Sequence, residues 1–173
     1  MRSEDQGEFT AYVAGSSARM RRTAFLLCGD WQRAEDAAQD AFVKLYLSWD
    51  RVRVRAALDG FVRTILVRAL IDEGRRPWRR EHPNGAVPEL QAPESMSAAD
   101  RMTVQAALAR VPPRQRAVLV LRFYEECDVA ETARVLGCSQ GTVKSQTARG
   151  LARLRELLGD TEPVHADCSE GLT

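Results

Sequence analysis

A chain of 173 residues, 45% of them hydrophobic and 28% charged, is long enough for one ordinary globular domain or two small ones. Its composition excludes a disordered, fibrous or disulfide-stapled protein. No stretch approaches the roughly 18 uncharged apolar residues of a membrane span, and the start MRSEDQGEF is polar and acidic, so neither membrane insertion nor a signal peptide is expected and the cytoplasm is the default.

The net charge of +1 is unlike that of a nucleic-acid binder until it is divided along the chain. Residues 1–50 carry −2, 51–80 carry +6, 81–100 carry −4, 101–158 carry +5 and 159–173 carry −4. Two basic blocks separated by an acidic connector suggest two modules that face polyanions, although solvated helix surfaces account for the same pattern.

Proline is absent before residue 77, and apolar residues recur there at helical spacing. The first segment carries Phe9, Tyr12, Val13, Met20, Ala24 and Leu27. Gly29-Asp30 interrupts it, with Asp30 placed to cap the next helix. That helix lines up Ala34, Ala37, Ala38, Ala41, Phe42, Leu45, Tyr46 and Trp49 as an apolar stripe. A third has Leu58, Phe61, Val62, Ile65, Leu66, Ala69 and Leu70, and Val52-Arg53-Val54 between them is the one short strand candidate. Residues 77–97, PWRREHPNGAVPELQAPESMS, hold four prolines without apolar periodicity and read as a linker.

A second helical unit begins near Ser97, runs through Met102, Val104, Ala107, Leu108 and Val111 to Pro112-Pro113, and continues as a helix over Arg114–Tyr124. Residues 128–158 then divide into a short helix (Val129–Leu136), a turn at Gly137-Cys138-Ser139, and a longer helix from Gln140. This is helix-turn-helix grammar: Asp128 and Ser139 are N-caps and Gly137 can take the left-handed conformation that ends the first helix. On the last helix Val143, Thr147, Leu151, Leu154 and Leu158 face inward, while Gln140, Thr142, Lys144, Ser145, Gln146, Arg149 and Arg153 are displayed. Amides, hydroxyls and cations at a helix start suit base edges and phosphates of a major groove. A helical hairpin with a solvated polar face is the plainer alternative. The reading is therefore all-α, with two small helical domains (1–76 and 98–158) joined by a Pro-rich linker (77–97) and followed by an acidic tail (159–173).

The string VPPRQRAVLVLRFYEECDVAETARVLGCSQGTVKSQTARGLARLREL resembles the carboxy-terminal promoter-binding domain of bacterial sigma factors of the extracytoplasmic function (ECF) type. There a helix of pattern LP-x-x-x-R-x-V-x-x-L-R precedes E-x-A-x-x-L-G-x-S-x-G-T-V-K-S. Upstream, GDWQRAEDAAQDAFVKLYLSWDRV is similar to the polymerase-docking helix of the family's amino-terminal domain, A-E-D-x-x-Q-D/E-x-F. Cys127-Asp128-Val129 departs from the family's usual approach to the helix-turn-helix, but Asp128 retains the capping chemistry.

The resemblance implies a specificity subunit that binds core RNA polymerase and directs it to promoter DNA, with no catalytic activity. It assigns Asp36, Gln39, Asp40 and Val43 to polymerase, and the arginine-rich third helix, with Arg63, Arg68, Arg75 and Arg76, to the melted −10 element. Arg114, Gln140, Thr142, Lys144, Ser145, Gln146, Arg149 and Arg153 fall to the −35 element, Arg116 being a further backbone candidate. Trp49, Phe61 and Trp78 are candidate base platforms, with Phe61 and Trp49 also fitting a core. An anti-sigma protein is an implied further partner. A conventional helix-turn-helix regulator that binds its operator without polymerase is the competing function. An enzyme is not expected: His82 and His165 lie in linker and tail, and no catalytic triad is visible. Cys28, Cys127, Cys138 and Cys168 contain no C-x-x-C pair and read as reduced thiols, and His165 with Cys168 cannot close a metal site, so no metal or cofactor is expected.

Overall fold

The three segments of the first half with apolar residues at helical spacing are helices. In the computed structural model, which describes residues 3–52, 57–73 and 97–159, α1 spans Ser3–Cys28, α2 Trp31–Leu47 and α3 Leu58–Glu73. Gly29 turns the chain at φ 74°, a conformation that a side chain disfavours, and Asp30 accepts the Arg33 N–H at 2.9 Å to start α2. Phe25 and Trp31 stack across this turn with centroids 4.2 Å apart, pinning α2 antiparallel to α1. A 3-10 turn over Trp49–Arg51 leaves α2 where a strand was possible from Val52; Val54 lies outside the described residues, among which there is no strand.

The second half begins at Ser97, whose hydroxyl accepts the Asp100 N–H, and α4 spans Ala98–Ala109. After Pro112, α5 covers Pro113–Leu119. The expected helix to Tyr124 changes character at Val120, where Val120–Tyr124 widens into a π-helical turn closed by Glu125 N–H to Val120 O at 3.0 Å. Glu126 follows at φ 54°, the one non-glycine residue with positive φ among those described. The helix-turn-helix then follows the sequence reading: α6 is Val129–Leu136 capped by Asp128, Gly137 sits in the left-handed region at φ 63°, and α7 is Gln140–Gly159 with the Ser139 hydroxyl accepting the Thr142 N–H.

Packing within each half is conventional. α1 lies on α2 and α2 on α3, while α7 lies on α5 and α6. The two halves also share one buried apolar cluster, in which Met20, Leu45, Val62, Leu66 and Val67 of the first half join Val111, Leu121, Cys127, Val135 and Leu157 of the second. α3 meets α6 and α5, and α1 meets α4, α5 and the π turn. Tyr46, expected on the apolar stripe of α2, is instead exposed and edges onto the Phe9 ring at 5.3 Å, whereas Trp49 is buried against the same ring. The linker from residue 77 through 96, the tail beyond 159, Arg75, Arg76 and Trp78 lie outside the described residues.

Gly150 lets α7 close on α5, since a Cβ there would stand 3.1 Å from Leu119 Cγ and 3.4 Å from Gln115 Cβ. Gly150→Val should therefore overpack this contact and lower the unfolding free energy by about 1–3 kcal/mol, read from the urea midpoint. An unchanged midpoint would show that α5 and α7 have room to spare.

Candidate nucleic-acid and partner interfaces

α2 presents its polar face as a graded surface. Asp36, Gln39, Asp40 and Val43 are all exposed, at the i, i+3, i+4 and i+7 spacing that places them along one side. Leu47 continues the row at 76% exposed, beside Val43 at 56% and the half-exposed Tyr46. Two carboxylates thus lead into a short apolar end. An exposed Leu and Val in register with acidic residues suit a partner with a basic rim and an apolar centre. Leu47 was missed in sequence because it lies just past the stripe; its spacing from Val43 was the available signal.

α7 presents the opposite chemistry. Gln140, Thr142, Lys144, Ser145, Arg149 and Arg153 are exposed and Gln146 is half-buried, while Val143, Gly150 and Leu157 are buried. The first turn is held by Ser139 and Thr142, whose hydroxyls lie 2.9 Å apart, and by Ser145 Oγ donating to Thr142 O at 3.0 Å. Arg153 pairs with Glu156 at 3.0 Å. Arg114, exposed at the start of α5, lines a cleft with Thr142 and Gln146 that Arg68 reaches from α3. Arg116 does not join this surface: it is half-buried and donates to Leu27 O at 3.0 Å and to Val111 O at 3.2 Å, completing the end of α1.

The arginines of α3 have other engagements. Arg63 is buried; its Nε and Nη2 each lie 3.0 Å from Glu125 Oε2, and its Nη1 donates to Glu131 Oε1 at 2.7 Å. The Glu125 side chain is only 1% exposed and is also reached by the Thr23 hydroxyl and, at 3.7 Å, by Arg19. Arg68 is exposed and donates to Val135 O at 3.3 Å, where the last carbonyls of α6 have no helical partner. In this arrangement Arg63 is not available to a DNA strand, because carboxylates sixty and more residues away neutralise it; sequence gave no sign of that pairing. Phe61 packs against the core at half burial, and Trp49 is buried, so neither offers a flat exposed platform.

A second network adjoins this one. The Tyr12 hydroxyl donates to Asp59 Oδ1 at 2.8 Å, and Arg19 pairs with the same carboxylate. Burial and the Asp59 bond hold the Tyr12 hydroxyl well above its usual range. At Asp59 burial acts to raise the pKa, but Arg19 and Tyr12 outweigh it and the carboxyl lies below its ordinary 3.8. Burial pushes the Cys127 thiol up to about 11. Among the described residues no cluster of His, Cys, Asp and Glu could hold a metal ion, and no helix is long and apolar enough to cross a membrane.

Comparison with known proteins places these surfaces in a family. Residues 16–80 match the family described as Sigma-70 region 2, and residues 101–154 match Sigma-70, region 4. The RNA polymerase sigma-E factor of Streptomyces avermitilis is 36% identical over 152 residues, covering 87% of this chain and 85% of the relative. The ECF RNA polymerase sigma factor SigM of Mycobacterium tuberculosis is 35% identical over 143 residues, covering 82% and 72%. This chain belongs to the ECF family of RNA polymerase sigma factors. The sigma factor RpoE of Bartonella quintana, solved in complex with the anti-sigma factor NepR, shares its fold with a TM-score of 0.70 at 23% identity, covering 90% of this chain and 99% of that one. CnrH, solved with the cytosolic domain of CnrY, superposes with a TM-score of 0.65 at 22% identity over 91% of both chains. An ECF sigma factor is a transcription initiation factor and not an enzyme, and the conventional operator-binding regulator is the less favoured reading.

Because Asp59 has a lowered pKa in the fold, its contribution is fully present above about pH 4 and is lost as pH falls through the lower folded-state value. Urea midpoints of wild type and Asp59→Asn should differ at pH 6, and the difference should shrink as pH falls below about 4. A gap of constant size down to the lowest pH at which the wild type still folds would show that Asp59 acts through something other than its charge.

Proposed function

We propose that this ECF sigma factor docks on core RNA polymerase through the α2 face of Asp36, Gln39, Asp40 and Val43, extended by Leu47, and reads the −35 element with α7. The observation that carries the reading is the opposition of two exposed helix faces, acidic and apolar on α2, cationic and amide-rich on α7, on a chain whose family initiates transcription at specific promoters. Near the start of α7, Gln140, Thr142, Ser145 and Gln146 are close enough to the groove floor to read bases. Lys144, Arg149, Arg153 and Arg114 supply phosphate contacts that position the helix. α3 carries the −10 role, with Arg68 exposed for it in the present arrangement and Arg75 and Arg76 beyond the described residues. Arg63 becomes free for that role only when it is released from Glu125 and Glu131. The working compartment is the cytoplasm, where polymerase and promoters meet. An anti-sigma protein is a further partner in this reading, supported by the Bartonella quintana fold neighbour that was solved with the anti-sigma factor NepR.

Run-off transcription with purified core polymerase tests the whole reading: the chain should confer promoter-specific initiation, and failure to do so would sink it even if the protein bound DNA alone. Asp40→Arg should weaken core binding on the order of tenfold or more, equal to about 1.4 kcal/mol, with the circular dichroism spectrum unchanged. Lys144→Ala should weaken binding to a −35 duplex and lower the slope of log affinity against log salt by about 1. An unchanged slope would remove Lys144 from the phosphate contacts.

A further inference from the structure

A cleft of about 300 Å³ opens where α3, α5 and the turn between α6 and α7 come together. Ile71, Val118 and Leu136, one from each of three helices, give it an apolar wall. Arg68 and Arg114 line the same cleft, and no carboxylate is among its described lining side chains. Arg114 is exposed and has no hydrogen-bond or ion-pair partner among the described residues. Arg68 donates to the carbonyls of Val135 and Arg134 at 3.3 and 3.5 Å, which holds its guanidinium beside Gly137 without neutralising it. Two fixed cations that face one cavity without a counter-charge are the electrostatic counterpart of an anion. Thr142, Gln146 and the Cys138 thiol complete the wall with polar groups.

We propose that this cleft binds a small organic dianion, a phosphomonoester carrying a flat apolar group. The phosphate lies with Arg68 and Arg114, and the apolar group lies on Ile71, Val118 and Leu136. Two guanidiniums, each able to donate two parallel bonds to oxygen, match a dianion better than a monocarboxylate. The apolar wall favours a ring that inorganic phosphate lacks. The ligand shares Arg114, Thr142 and Gln146 with the surface assigned to the −35 element, so its binding withholds the start of α7 from the promoter. The site stands on the cleft alone, whereas the competition rests on the proposed reading of α7.

Phenyl phosphate is the probe, added to the full chain at constant pH and ionic strength. Cys138 lines the cleft, whereas Cys28 lies at the end of α1 bonded to Asp30 O, so iodoacetamide labelling mapped peptide by peptide reads occupancy at one thiol against the other. Phenyl phosphate at about 10 mM should slow labelling of Cys138 at least about threefold and leave that of Cys28 unchanged. Inorganic phosphate and benzoate should each protect at least about threefold more weakly. Arg114→Gln should raise the half-protecting concentration about tenfold. Arg149→Gln removes the same charge from an exposed position of α7 outside the cleft and should leave that concentration unchanged. Wild-type affinity for a −35 duplex should fall over the same range of phenyl phosphate. Protection without that fall leaves the site standing and removes the cleft residues from the −35 contacts. Absence of protection at Cys138, equal protection by inorganic phosphate, or an equal loss in Arg114→Gln and Arg149→Gln overturns the inference.

Discussion

The Glu125 carboxylate is the constraint on which the arrangement of the two halves depends. An ion of this kind, withdrawn from water, costs several kcal/mol unless its lone pairs are satisfied and a counter-charge lies close. Here a guanidinium, a hydroxyl and a second, more distant guanidinium supply both needs, and all three come from the amino-terminal half. The local chain geometry follows from the same requirement. An uninterrupted α-helix through Tyr124 would carry the next residue along a different direction; the wider π turn and the left-handed Glu126 set Glu125 pointing across to α1 and α3. The backbone irregularity and the ion pair are thus two views of one solution.

Around this polar centre the apolar contacts are ordinary. Leu121 and Cys127, on either side of Glu125 in sequence, are buried in one cluster with Met20, Leu66 and Val67, and the Glu125 side chain between them is itself withdrawn from water. Exclusion of water strengthens the ion pair and also raises the cost of losing one partner. Arg116 and Arg68 extend the theme, each completing a helix end that belongs to the other half of the chain. Helix termini that would otherwise bond water are finished by long cationic side chains whose charge suits a helix carboxy terminus.

What could be read from the sequence divides along physical lines. Helix starts at Asp30, Ser97, Asp128 and Ser139, the left-handed Gly137 and the inward row of α7 were legible, because caps, turns and periodicity are decided by residues within four or five positions of each other. The acidic–apolar row on α2 and the cationic row on α7 were legible for the same reason, and the structure leaves both exposed. The engagement of Arg63 was not, since its partners lie 62 and 68 residues away and nothing local marks an arginine as destined for burial. Of the two aromatic residues that end the α2 stripe, Trp49 is buried as expected although it stands in the 3-10 turn, whereas Tyr46 is exposed at the margin of the stripe with the Phe9 ring against it. Segmental charge proved more informative than the total, but it could not separate cations held for DNA from cations held by the protein itself.

The apolar cluster shared by the two halves carries a thermal consequence. Parting them would bring the facing surfaces of Leu66, Val67, Leu121 and Val135 towards water, and hydrating apolar surface carries a positive heat capacity of about 0.45 cal/K/mol for each Å². The free energy of parting is therefore curved in temperature, with the contact weakening on cooling as the hydrophobic contribution fades and on heating as entropy takes over. Temperature thus acts on the contact between the halves through the solvent alone, with no side chain having to change its protonation and no ligand having to bind.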